Sequence, residues 1–182
     1  MRRVNLMMVS FAALACSSAP RTPAAAPPPP EVIPTSSGTL RVERERLASG
    51  GRIDASVEEA WKVVISVYHD LGIEPTTLIS ETHTIGNESL KVRRSLGGTP
   101  LSRYLSCGSA TGVGPNADYY NVQMAVMTYL VGAGAGLTDV KSVVEATAAP
   151  VSLGSNPVVC SSTTALEARI AKMIQERVAA GR

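Results

Sequence analysis

Three cysteines, Cys16, Cys107 and Cys160, and two histidines, His69 and His83, are the residues of this 182-residue chain with the widest chemical reach. Two thiols can form a structural bridge, a labile redox pair or part of a metal site. Neither a C-x-x-C spacing nor a His beside Cys107 or Cys160 is present, so a structural disulfide is expected of them. Closing the long segment between them is worth on the order of 4 kcal/mol in the loop-entropy model. The histidines lack H-E-x-x-H spacing; both read as surface residues, with His69 near a helix end where the dipole favours a cation. No G-x-S-x-G elbow is present, and Gly97-Gly98 and Gly112-Val113-Gly114 lack the Lys and Ser/Thr of a phosphate loop. Ser109 has no local activating base. Hydrolase and NTPase readings lose their usual supports, and the expectation is a protein that is not an enzyme, with no metal or cofactor.

The third cysteine belongs to the amino terminus. Met1 to Cys16 reads MRRVNLMMVSFAALAC, with two Arg, a short apolar stretch and small residues before the Cys. This is the organisation of an export signal, and its apolar part is shorter than the roughly 20 residues that cross a bilayer. Ala13-Leu14-Ala15-Cys16 resembles a bacterial lipobox, with Ala13 in place of the usual Leu. The same residues satisfy an A-x-A site for ordinary secretion. Three Cys leave one unpaired in an oxidising compartment, and thioether lipidation of Cys16 would remove it. Ser17, rather than Asp, after that Cys implies an outer-membrane address in lipoproteins of this type.

Export changes the charge. The formal +2 includes Arg2 and Arg3, and no acid precedes Cys16, so the mature chain carries 15 Lys+Arg against 15 Asp+Glu. Such a balance offers no overall attraction to phosphate backbones, and nucleic acid is not expected as a partner.

The chain therefore divides into a signal peptide at 1–15, a lipidated Cys and tether at 16–38, and a single domain at 39–182. Ser17 to Gly38 holds seven of the twelve Pro. A stretch of that composition extends at about 3.1 Å per residue and holds a domain up to roughly 70 Å from a membrane.

The domain's elements follow from periodicity. TLRVERERL alternates as a first strand, which is suited to a sheet edge. Ser56-Val57-Glu58-Glu59 is a capping box, followed by Val57, Ala60, Trp61, Val64, Ile65, Tyr68 and Leu71 at helical spacing and a Gly72 stop. TTLIS and THTIGNESLKV are two strands joined near Glu81, with Gly86 at a bulge or turn. Tyr119 to Leu130 alternates with Tyr120, Val122, Met124, Val126 and Leu130 on one face. Gly132, Gly134 and Gly136 turn it into Thr138 to Ala148, which completes a long hairpin. Thr164-Ala165-Leu166-Glu167 reads as a second capping box, opening a helix with Leu166, Ile170, Met173, Ile174 and Val178 on its apolar stripe.

The order β-α-β-β-β-β-α makes an α+β domain, with an antiparallel sheet of about five strands and two helices on one face. It resembles the helix-grip, TBP-like architecture, in which a long terminal helix crosses a curved sheet. The stretch IDASVEEAWKVVISVYHDLGIEP is similar to the first-helix region of BamC-type outer-membrane lipoproteins and of START-like proteins, through its acidic start, Ala-Trp pair and Leu-Gly exit.

Ser95 to Asp118 contains no clear element, and long ordered loops of that kind are often binding loops. Lys91, Arg93, Arg94 and Arg103 make its approach basic, suited to an anionic head group, glycan or partner. The functional expectation is a lipid-anchored, periplasm-facing envelope protein whose domain acts as an interaction or scaffold module for another envelope protein. The alternative is a carrier of a lipid or other hydrophobic ligand, with Trp61 and Tyr120 lining a cavity between helix and sheet.

Overall fold

The computed structural model describes residues 31–35, 38–42, 49–110, 112–151 and 156–181. Two strands come first, β1 (Glu31–Thr35) and β2 (Gly38–Val42), paired antiparallel with Ile33 opposite Leu40. This hairpin corrects two expectations. Residues 31–35 are not polyproline spacer, because Val32, Ile33 and Thr35 around the lone Pro34 favour strand. The strand expected over 39–47 is described as β2 over 38–42 and pairs with β1, not with the main sheet, while 43–47 lie outside the described residues. The expected signal peptide, Cys16 and the expected tether up to residue 30 lie outside the described residues.

The main sheet opens instead with β3 (Gly50–Ile53), whose two glycines carry no side-chain alternation to betray it. Gly50 has a φ of +148°, and a Cβ there would collide with the Val140 carbonyl of the neighbouring strand. Helix α1 (Val57–Asp70) starts at the expected capping box: Ser56 Oγ accepts from the Glu59 amide at 3.2 Å, and the Ser56 amide donates to Glu59 Oε2 at 2.9 Å. It buries Ala60, Val64, Val67 and Tyr68 and ends at Leu71, before the left-handed Gly72.

Strands β4 (Thr77–Ile79) and β5 (Thr84–Arg93) form the next hairpin. Gly86 stands in register inside the ladder, between Thr77 and Met127. The bulge falls beyond it, where Glu88 and Ser89 together face Ala125. The segment expected to lack elements is folded into short pieces: β6 (Ser95–Leu96), β7 (Thr99–Pro100), a 3-10 turn (Leu101–Arg103), β8 (Leu105–Ser106), β9 (Ser109–Ala110), β10 (Gly114–Pro115) and the one-turn helix α2 (Asn116–Tyr119). Elements of two residues leave no periodic trace. The segment buries Leu96, Leu101, Tyr104, Leu105 and Ala117, so it is part of the core and not a covering loop.

The long hairpin is β11 (Asn121–Gly132) and β12 (Thr138–Ala149), in continuous register from Asn121 opposite Ala149 to Gly132 opposite Thr138. Tyr120 precedes β11 instead of lying within it. A strand that periodicity missed, β13 (Val158–Ser162), leads into α3 (Ala165–Ala180). The sheet runs β4-β5-β11-β12-β13-β8, with β3 beside the other half of β12, and every pairing among the described residues is antiparallel. The fold is thus α+β as expected, and among the described residues the main sheet has seven strands and the chain three helices, against about five and two expected.

Helices α1 and α3 pack against each other, α3 also against β3 and β12 and α1 against β11. They cover the face onto which Val122, Met124, Val126, Leu130, Val140 and Val144 point, all buried. Burying each such side chain fully contributes roughly 1.5–3 kcal/mol. Leu166, Ile170, Ile174 and Val178 of α3 are buried in the same core, with Met173 at its margin.

Candidate functional site

Cys107 and Cys160 form a disulfide, with their Cα atoms 4.2 Å apart. Cys160 belongs to β13, and Cys107 follows β8, the ladder partner of β13. Ser161 stands opposite Ser106 and Ser162 opposite Leu105. Covalent bridge and ladder together fasten the 95–118 segment to the main sheet. Asn116 Nδ2 donates to the Cys107 carbonyl at 3.0 Å, closing the same corner.

The basic residues are all exposed but do not converge. Lys91 and Arg93, at the end of β5, border a shallow cavity of about 460 Å³ with Asn121, Gln123 and Pro157. Arg94 follows in a left-handed conformation, at φ 68°. Arg103 closes the 3-10 turn, where its carbonyl accepts from Thr163 Oγ1 at 2.7 Å. Trp61 is half-buried on α1, edge-to-face with His83 at 5.5 Å between ring centroids. Tyr120 packs half-buried at the end of α2. Neither Trp61 nor Tyr120 lines either of the two cavities described here. His69 sits in the last turn of α1, 3.5 Å from Glu74.

Between the helices and the sheet lies a small polar chain. The Tyr68 hydroxyl donates to Thr128 Oγ1 at 2.8 Å and approaches the Ile85 carbonyl at 3.2 Å, and Thr128 shares a 2.8 Å bond with Ser142 Oγ. All three side chains are fully buried. Burial pushes the Tyr68 phenol well above the ordinary tyrosine range, and a hydrogen bond from the Thr128 hydroxyl to the ionised oxygen would offset only part of the effect. The group therefore acts as a neutral donor that locks α1 to β11.

On the opposite face, on which no helix packs among the described residues, Ala125, Met127, Tyr129 and Val143 lie half-buried among exposed Gln123, Glu145 and Thr147. The Tyr129 hydroxyl is raised above its ordinary pKa, first by burial and then by the charges of Glu88 and Glu145.

That face runs into a notch in the sheet. Strand β3 occupies the outer edge of β12 along Thr138–Lys141, and the Ser142 amide continues the ladder to the Ser49 carbonyl at 2.8 Å. Strand β13 occupies the same edge along Ala146–Ala148. Among the described residues, Val143–Glu145 has no strand on that side. A cavity of about 870 Å³ opens there, lined by Ser49, Val144, Glu145, Val159, Ser162 and Glu167 among others.

Glu167 is the residue that sequence reasoning misplaced. The expected capping box fails: Thr164 is left-handed, at φ 65°, and its side chain caps nothing. Ser162 takes over, accepting from the Thr164 amide at 2.9 Å and donating to Glu167 Oε1 at 2.6 Å. Glu167 is 1% exposed, and its Oε2 is buried without a hydrogen-bond partner.

Among the described residues, no helix is long and apolar enough to cross a membrane. No family model, curated protein or solved structure matches this chain.

Proposed function

We propose that this chain is a lipid-anchored protein of the bacterial cell envelope, held through Cys16 at the outer membrane and facing the periplasm, whose domain is a non-enzymatic interaction module. The observation that supports the reading is one-sided cover among the described residues: α1 and α3 lie on one face of the sheet, while the other presents Ala125, Met127, Tyr129 and Val143 half-buried. A patch of apolar and aromatic side chains rimmed by polar residues is the composition of a contact surface. In this reading α3, packed against β3 and β12, is the gripping helix of a helix-grip fold, related to the BamC-type proteins. The Cys107–Cys160 bridge supports the anchor, since it uses two of the three thiols and leaves Cys16 for the lipid.

Two measurements test the reading. Cys16→Ser is expected to move the protein from membranes to the soluble periplasmic fraction; unchanged detergent-phase partitioning removes the anchor. A photo-reactive residue at Met127 is expected to capture an envelope protein in intact cells, whereas one at Lys172, exposed on α3, is not. Equal capture from both positions, or none from Met127, overturns the sheet-face assignment.

A further inference from the structure

We propose that the notch beside β12 is a binding site for an extended peptide segment of a partner protein, one that brings an Arg or Lys side chain to Glu167. The partner's main chain supplies the strand that Val143–Glu145 lacks among the described residues. Ser142 turns its N–H toward β3, and every second residue of a strand faces the same edge, so the N–H and C=O of Val144 face the notch. An incoming strand that hydrogen-bonds there fills the interval between Ser49 and Cys160 by β-augmentation.

Charge identifies the side chain. Glu88, Glu145 and Glu167 line the cavity, and no Lys or Arg does so among the described residues. Glu167 Oε1 is satisfied by Ser162, but Oε2 is buried with no partner. Leaving a carboxylate oxygen dry and unpaired is costly, and a cationic N–H donor is the ligand group that relieves it. In an antiparallel pair, residues directly opposite one another project to the same face. The partner residue opposite Val144 therefore points inward, toward α3 and Glu167, and the one opposite Glu145 points outward beside a second carboxylate. Val159, 84% exposed at the rim, offers an apolar contact to the same strand.

The inference rests on the reading of the domain as an interaction module only for the partner being a protein. Capture from Met127 tests that reading by itself, and the notch is tested separately on the full-length chain with its disulfide intact. The probes are acetyl-Thr-Val-Arg-Val-Thr-amide and the same peptide with Gln for Arg, titrated while the Val144 amide resonance is followed. The Arg peptide is expected to bind saturably and shift Val144. Glu167→Gln in the protein, or Gln for Arg in the peptide, is expected to weaken binding by about tenfold or more, the scale of one lost charge-assisted hydrogen bond. Glu88→Gln, at the exposed rim, is expected to change it by less than about threefold. The peptide substitution leaves the protein untouched, so the result stands even if Glu167→Gln fails to fold.

Equal binding of the two peptides, or no saturable shift at Val144, overturns the proposal. So does slow hydrogen exchange at Val144 in the free chain. If that protection is independent of protein concentration, the chain's own residues 43–48 fill the notch; if it rises with concentration, a second copy does.

Discussion

The hydroxyl of Tyr68, on the first helix, donates to Thr128 Oγ1 at the centre of β11, a 2.8 Å bond with no solvent access to either side chain. Tyr68→Phe keeps the ring and removes the donor, leaving Thr128 and Ser142 to satisfy each other. The expected loss is about 1–2 kcal/mol in denaturant unfolding. The wild type should also be more sensitive to alkali than the variant. Because the folded phenol titrates above its unfolded value, its contribution is complete below the ordinary tyrosine pKa near 10 and is lost as pH rises beyond it. Parallel stability curves for the two proteins above that pH would contradict this account.

The disulfide gives a second expectation. Alkylation of the unfolded, unreduced protein should label neither Cys107 nor Cys160, read by intact mass. The double variant Cys107→Ser/Cys160→Ser should lose roughly 2–4 kcal/mol. Protection of the 95–118 amides should fall more than that of the β11–β12 hairpin, because the hairpin keeps its ladder on both flanks.

Gly86 is held to glycine by contact. A Cβ there would overlap the Met127 sulfur and lie 2.6 Å from the Val126 carbonyl. Met127 can swing aside, but the backbone carbonyl cannot. Gly86→Ala should therefore cost about 1–3 kcal/mol by overpacking, whereas Gly98→Ala, where no atom lies within 4 Å, should show only the smaller strain of its positive φ. Equal midpoints for the two variants would refute the contact argument.

Arg52 on β3 and Asp139 on β12 form a cross-strand pair, with Arg52 Nε donating to Asp139 Oδ1 at 2.8 Å. That hydrogen bond holds the Asp139 carboxyl below its ordinary range. Arg52→Gln should return its titration, followed by carboxyl NMR, toward the usual aspartate value. The pair's contribution is present above that value and fades as pH falls through the depressed one. Arg52 is exposed and Asp139 only partly buried, so global stability should scarcely move. An unchanged Asp139 titration would sink the assignment.

The helix α1, the β11–β12 hairpin and the apolar stripe of α3 were legible because long elements repeat their periodicity many times. Strand β3 was hidden by Gly50 and Gly51, which have no side chains to alternate, and β13 by its brevity, with Val159 pointing outward between buried Cys160 and half-buried Val158. The notch was illegible for a different reason. It is made by where β3 stops and β13 starts along β12, a property of strand order that no local pattern encodes. Glu167 then satisfied a capping motif with Thr164, although the hydroxyl that reaches it belongs to Ser162. Two neighbouring Ser/Thr side chains compete for one carboxylate, and the backbone twist at Thr164 decides between them.

The covalent link between Cys107 and Cys160 also imposes an order of events in time. Its second sulfur lies 53 residues beyond the first, within β13, and can pair only after that strand has been made. Until then the middle third of the polypeptide has neither its ladder partner nor its clasp. A chain grown only as far as residue 157 therefore carries Cys107 as a reduced thiol beside an unpaired β8, and the lock closes only once Cys160 has followed.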